Sequence, residues 1–203
     1  IFIVKIKNNM KVCIIGSGLT ALTLAKALVN QKIHVDLYEE KNSYPLNKSR
    51  TLGISKSNID YFNNKIINIK KIVWNLKKIE IYSDNLKNEK ILNFKNNSGQ
   101  LFSIVKNYKL YKILNESLNK NKFYKKINSK INLKLLNKYN LVINTDYYNC
   151  FTEKYFSKKI LKKYRSFAYT TVIKHEKLLN NVAIQIFTKR GPLAFLPVSD
   201  YET

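Results

Sequence analysis

The chain has 203 residues, enough for one domain or one and a half, and its 45% hydrophobic and 12% aromatic content excludes disordered, low-complexity and collagen-like classes. Lys and Arg number 37 against 13 Asp and Glu, a formal net charge of +24 that would ordinarily point to nucleic acid or an anionic membrane. That inference is weakened because only Arg50, Arg165 and Arg190 are Arg, and the Lys, Asn, Ile and Tyr that dominate the rest are what AT-rich codons encode.

Residues 1–9 precede the single methionine, Met10, and read as a non-native leader. Val12-Cys13-Ile14-Ile15 is a short apolar run of the kind buried on both faces of a parallel sheet. It ends in Gly16-Ser17-Gly18-Leu19-Thr20-Ala21, and from Leu19 to about Gln31 the apolar and small residues predict a well-buried helix. Ile33 to Tyr38 reads as a second strand closing on Glu39, so the segment forms a βαβ unit. The spacing has a mechanical meaning. Gly16 permits a tight turn, and Gly18 lets a pyrophosphate approach the positive end of the helix. Ala21 stands where small size allows close helix–strand packing, and Glu39 can accept hydrogen bonds from an adenosine ribose while repelling a 2′-phosphate. A structural glycine turn in another α/β fold would leave the same trace.

Lys41–Lys48 is a polar loop containing Pro45, and Arg50 is followed by a helix through about Asn63. Segments 78–83 and 90–95 alternate apolar and polar residues, as half-exposed antiparallel strands do. Residues 107–119 carry Leu110, Ile113, Leu114 and Leu118 at helical spacing, and Leu141–Asp146 is a buried-type strand ending in an acid. Residues 166–188 read as strands, and 191–198 is an apolar stretch. Cys13 and Cys150 lie too far apart in sequence for a CxxC metal site or a disulfide framework, which favours a reduced compartment. No metal site is readable, and no run reaches the roughly 18 apolar residues of a membrane helix. His34 and His175 read as exposed and idle, Trp74 as packing, and the Lys clusters at 125–126, 158–159 and 162–163 as solvated faces.

Four stretches together resemble the FAD-dependent aromatic hydroxylases of the para-hydroxybenzoate hydroxylase type, most closely their ubiquinone-biosynthesis branch. They are Val12–Glu39, Ser49–Ser55 with Arg50, Gly99–Asn107 running into the next helix, and Ala183–Pro197. The resemblance implies an α/β fold with a Rossmann-like FAD-binding domain interleaved with an antiparallel substrate sheet that is incomplete at the C-terminus. The FAD-binding part is expected at 10–70 and 98–150, and substrate-domain strands at 71–97 and 151–203. It further implies FAD as cofactor, NAD(P)H as reductant, and O2 and a prenylated phenol or other aromatic molecule as substrates. Peripheral membrane contact or membership of a ubiquinone-biosynthesis complex would follow, in a bacterial cytoplasm at the inner face of the membrane.

Arg50 and Asp146 are the further cofactor contacts the resemblance suggests, with an ordinary surface Arg and a helix or turn cap as the plain alternatives. Gln185, Phe187, Arg190 and Pro192 would lie on the substrate side, although a plain antiparallel strand explains them almost as well. No catalytic side chain is assigned. Asp146 is followed by Tyr147 where the family has Gly, and the family's second flavin motif does not occur in the 203 residues, so the chain reads as the N-terminal portion of a longer enzyme. Two alternatives stand beside this reading. One is another FAD-dependent oxidoreductase with the same fingerprint, such as a prenyl reductase or amine oxidase. The other is a basic nucleic-acid-binding protein, against which the aromatics fall in apolar patterns instead of interleaving with Arg.

Overall fold

The computed structural model describes residues 10–39, 47–86, 89–95, 99–129, 132–156, 160 and 162–203. The expected leader 1–9, most of the Pro45 loop and the Lys pair 158–159 lie outside the described residues. The chain divides into two compact units: 1–46, 65–67 and 111–167 in the first, and 47–64, 68–110 and 168–203 in the second.

In the first unit, β1 (Lys11–Ile15), β2 (His34–Tyr38), β8 (Tyr124–Ile127) and β9 (Leu141–Asn144) form a parallel sheet in the order β8-β2-β1-β9. Helix α1 (Leu19–Asn30) packs on β1 and β2, and Ala21, Leu22, Ala25 and Val29 are buried with Val12, Ile14, Val35 and Leu37. Sealing both faces of the central strands is what a parallel sheet requires. Cys13, Ile15, Tyr38, Tyr139 and the Phe151 side chain of α4 (Cys150–Tyr155) form a second apolar cluster. Within it sits a polar network. Tyr139 Oη donates to Asp36 at 2.7 Å, lies 3.0 Å from Tyr38 Oη, and Lys11 pairs with the same carboxylate at 2.8 Å. Burial, reinforced by Asp36, pushes the Cys13 thiol up to about 12, whereas Cys150 is exposed.

Helix α1 stops in a Schellman arrangement: the Ile33 N–H reaches the Leu28 carbonyl at 3.2 Å and the Lys32 N–H reaches that of Val29 at 3.0 Å. The motif needs a left-handed residue, and it is Lys32 that adopts it, with φ 61°.

In the second unit, β3 (Thr51–Ser55), β4 (Val73–Leu76) and β7 (Phe102–Lys106) make an antiparallel sheet in the order β3-β7-β4. Another sheet runs β11-β10-β5-β6, from β5 (Lys78–Ser83), β6 (Lys90–Lys95), β10 (Val182–Thr188) and β11 (Gly191–Phe195). Leu76, Ile104 and Ala183 are buried together with Trp74, Ile79, Phe102 and Val198 packed around them. Gly53 sits beneath Phe102, whose ring a Cβ at Gly53 would approach to 2.1 Å. Trp74 packs, as its sequence suggests, and its indole N–H also donates to the Asn180 carbonyl at 2.6 Å. The helix after Arg50 is α2 (Lys56–Tyr61), capped by Ser55 and continued by a π turn at Phe62–Ile66. Helix α3 (Asn107–Asn119) begins in this unit, and its Leu114 and Leu118, which count with the first unit, are fully buried.

Several sequence-based expectations are corrected. Of residues 166–188, only Val182–Thr188 is a strand. Segment 168–181 is irregular because its backbone bonds instead to the chain end, through Ile173–Thr203, His175–Tyr201 and Leu178–Asp200 pairs. His175 is not idle: Nδ1 lies 2.7 Å from the Glu176 carbonyl and Nε2 3.0 Å from Thr203 Oγ1. The substrate sheet is not wholly antiparallel, since β5 and β10 run parallel. The long chain between them supplies the crossover that a parallel pair needs. The two contact units are distinct from the expected domains: segments 47–64, 68–70 and 99–110 group with the second unit, where β7 pairs with β3 and β4. Segment 151–167 groups with the first, where Phe151 is buried in the sheet's second cluster.

Lys32→Gly is expected to raise stability by about 0.5–1 kcal/mol, because glycine adopts the left-handed conformation without the Cβ penalty; urea unfolding measures it. A second prediction concerns Glu202, which Lys106 holds below the usual carboxylate range by hydrogen bonding. A depressed folded pKa contributes stability above the unfolded value of about 4.3 that is lost as pH falls through the folded value. Glu202→Gln should therefore cost about 0.5–1 kcal/mol at pH 7, with the gap to wild type closing below about pH 4 in melts across pH.

Candidate nucleotide site at the carboxyl end of the parallel sheet

Strand β1 lies between β2, which it reaches through α1, and β9, which arrives from far along the chain. The strand order therefore reverses beside β1, and the carboxyl ends of β1 and β9 border a crevice of the type in which open α/β sheets bind ligands. An open cleft with a cavity volume of about 470 Å³ lies beyond the carboxyl end of β9, on the α4 side, lined by Asn144, Thr145, Asp146, Tyr147, Thr152 and Phe156 among others; Gly16–Ala21 and Glu39 do not line it.

Gly16 and Gly18 have different origins. Gly16 turns the chain with φ +110°, and its N–H donates to the Tyr38 carbonyl at 2.9 Å. A Cβ on Gly16 would fall 2.5 Å from Thr145 Oγ1 and 3.3 Å from the Asp146 nitrogen. Thr145 is fixed in that position because both its N–H and its hydroxyl donate to the Ile15 carbonyl, at 2.9 and 2.8 Å. Fold geometry thus demands glycine at 16. Gly18, by contrast, has φ −71° and ψ 176°, open to any residue, and a Cβ there would meet no atom within 4 Å. Among the described residues nothing calls for glycine at this point.

Gly18 is also the N-cap of α1, with no side-chain cap and no acid in the first turn. The N–H groups at Leu19, Thr20 and Ala21 open the helix, Thr20 and Gly18 are exposed, Ser17 is half-buried, and Ala21 is fully buried. This is an uncapped, positively polarised helix end with open space in front of it.

Glu39, 9% exposed, follows β2, and its N–H donates to the Ile127 carbonyl of β8 at 3.0 Å. Its carboxylate pairs with Lys126. Lys126, whose sequence reads as part of a solvated face, is instead held half-buried against Glu39, and only the pairing of β2 with β8 reveals its place. Asp146 does what its plain alternative describes. Its Oδ1 accepts the Tyr148 N–H at 3.0 Å, and its carbonyl accepts from Asn149 Nδ2 and Thr152 Oγ1. Asn149 in turn caps α4 and bonds Asn144, so the cleft wall is a polar knot.

The remaining expected site residues belong to the second unit. Arg50 is exposed, and its carbonyl accepts the Asn107 N–H at 3.0 Å. Gln185, Phe187, Arg190 and Pro192 share the β10–β11 hairpin: Phe187 pairs with Pro192, Gln185 lies two residues back on the same face, and Arg190 is in the turn. Among the described residues no group of three or more His, Cys, Asp or Glu side chains could hold a metal ion, and no helix is long and apolar enough to cross a membrane.

No family model matches the chain, and no curated protein matches it. Solved structures do. Over 96% of its length the chain superposes on PqsL from Pseudomonas aeruginosa, described as a probable FAD-dependent monooxygenase, with a TM-score of 0.70 at 11% identity. A structure of P. aeruginosa PqsL in complex with 2-aminobenzoylacetate gives 0.68 at 11% identity and 96% coverage. The p-nitrophenol 4-monooxygenase PnpA from Pseudomonas putida DLL-E4 gives 0.50 at 12% identity, over 59% of this chain and 31% of PnpA. The chain has their mixed α/β fold with parallel and antiparallel sheets, and it spans 59% of the length of PqsL.

The contrast between the two glycines is testable without any ligand. Gly16→Ala is expected to lose about 2–4 kcal/mol from backbone strain and the Thr145 collision. Gly18→Ala should stay within about 0.5 kcal/mol of wild type. Denaturant melts of the two variants would show the difference.

Proposed function

We propose that this chain carries the ADP-binding site, and a share of the substrate-side sheet, of an FAD-dependent monooxygenase that hydroxylates an aromatic small molecule. The observation that carries the reading is Gly18: a glycine for which the described residues give no packing reason, at an uncapped helix N-terminus, beside the crevice where the strand order reverses. A pyrophosphate accounts for it, since any side chain there would occupy the space in which phosphate oxygens accept the first-turn N–H groups. The likeness in fold to PqsL and PnpA supports the flavin and the monooxygenase chemistry.

When bound, FAD supplies the redox chemistry, with NAD(P)H as reductant and O2 as oxidant. The chain's own residues bind and orient. Gly16, Ser17, Gly18, Leu19, Thr20 and Ala21 form the phosphate turn, and Glu39 accepts hydrogen bonds from the ribose. Asp146 and Thr145 wall the cleft through their fixed backbone, and the planar guanidinium of Arg50 suits a further contact to the cofactor. Gln185, Phe187, Arg190 and Pro192 present one hairpin to an aromatic substrate. PqsL was crystallised with 2-aminobenzoylacetate and PnpA is named for p-nitrophenol, so an aromatic substrate class is supported by both. A prenylated phenol of ubiquinone biosynthesis is the specific substrate we favour, on the Ala183–Pro197 stretch. The exposed Lys162 and Lys163 would then suit a peripheral contact with the inner face of a bacterial membrane.

The test uses ADP and FAD titrated calorimetrically into the chain and its Gly18→Val variant. Binding of ADP to wild type, with at least a hundredfold loss in Gly18→Val and an unchanged circular dichroism melt, is the expected result. Equal binding by the variant would move the phosphate turn elsewhere and end this reading.

A further inference from the structure

A carboxylate at the end of the second strand ordinarily sets a nucleotide site against a 2′-phosphate, because the phosphate and the carboxylate repel. Here the carboxylate does not stand alone. Strand β8 lies beside β2 in parallel register, with Lys126 opposite Leu37 and Ile127 opposite Tyr38. Side chains two apart share a sheet face, so Leu37, Glu39 and Lys126 project to the same side, and the ammonium of Lys126 meets the Glu39 carboxylate. Both ends of the pair are largely withdrawn from water, the Glu39 side chain at 11% exposure and that of Lys126 at 28%. Two tyrosines that feel the pair electrostatically add no charge: burial raises the phenols of Tyr111 and Tyr124 above their ordinary range, Glu39 adds to both shifts, and Lys126 opposes that of Tyr111.

We propose that Lys126 is a specificity-determining residue of the nucleotide site. Paired with Glu39, it makes the ribose end a neutral, two-sided recognition element that tolerates a 2′-phosphate. A ribose diol is served by the carboxylate oxygens. A 2′-phosphate in the same place finds the ammonium of the pair at hand, and the carboxylate's repulsion is already offset. The lysine reaches the site from the edge strand, which is why the fingerprint from Gly16 to Glu39 does not reveal it.

This inference rests on the nucleotide-site reading above, and the experiment separates the two. ADP and its 2′-phosphorylated counterpart, 2′-phosphoadenosine 5′-diphosphate, are titrated calorimetrically into the full 203-residue chain, into Lys126→Met and into Glu39→Gln. Wild type should bind the two ligands within about fivefold of each other. Lys126→Met should raise the preference for ADP about tenfold, and Glu39→Gln should reverse the preference toward the 2′-phosphate. ADP binding with a ratio that Lys126→Met leaves unchanged would overturn the role of Lys126 alone. A wild-type preference for ADP above about tenfold would do the same. Absence of ADP binding in a folded chain would overturn both readings.

Discussion

The first unit depends on a contact with no room in it. Thr145, held by two hydrogen bonds to the Ile15 carbonyl, stands where a β-carbon of residue 16 would be. Because the ends of β1 and β9 approach so closely, the chain leaving β1 must turn at once, in a conformation only glycine holds cheaply. That turn sends α1 back across the sheet with its N-terminus facing outward at the strand ends. Crevice, helix dipole and the position of Glu39 then follow from strand order, without any further specialised residue.

The two faces of this sheet solve the burial problem differently. Under α1 the packing is aliphatic. On the other face the short α4 and Tyr139 close over a core that contains Asp36, a charged group in the middle of a buried strand. Burying a carboxylate alone would be very costly. Lys11 and the Tyr139 hydroxyl offset that cost, and Tyr38 completes the chain of hydroxyls. Removing one partner would leave the others unpaired, so the network acts as a unit that fixes how segment 132–139 lies on the sheet.

The βαβ opening was legible in the sequence because each of its parts has a local cause: an apolar run, a pair of glycines, a helix without breakers, an acid at the second strand's end. Hairpin strands β5 and β6 were legible from alternation, and α3 from its leucine spacing. Strands β4, β7 and β8 were not. Tyr124-Lys125-Lys126-Ile127 has one apolar residue and two lysines and becomes a strand only because β2 offers an unpaired edge. Segment 166–181 misled for the opposite reason. Its aromatic and branched residues have strand propensity, but its backbone is taken up by the chain end and its Asn180 amide by the Ser199 and Glu202 carbonyls. Of the site, the fingerprint residues were readable, whereas Lys126 and the Asn144–Asn149–Thr152 knot depend on contacts distant in sequence or on a fold around the cap. Arg50 and the hairpin residues were named by resemblance, and no local physical pattern picks them out.

Cys13 and Cys150 differ in a way that makes the protein convenient to observe. The thiolate is the reactive form, and a thiol held near 12 inside the sheet offers almost none at neutral pH. Cys150 is exposed at the first position of α4, next to the Asn149 that ties the cleft wall together. A maleimide dye would consequently label one position without any cysteine having to be removed, and it would sit a residue away from the cleft wall. Nature has left a ready-made attachment point for a reporter at the edge of the crevice.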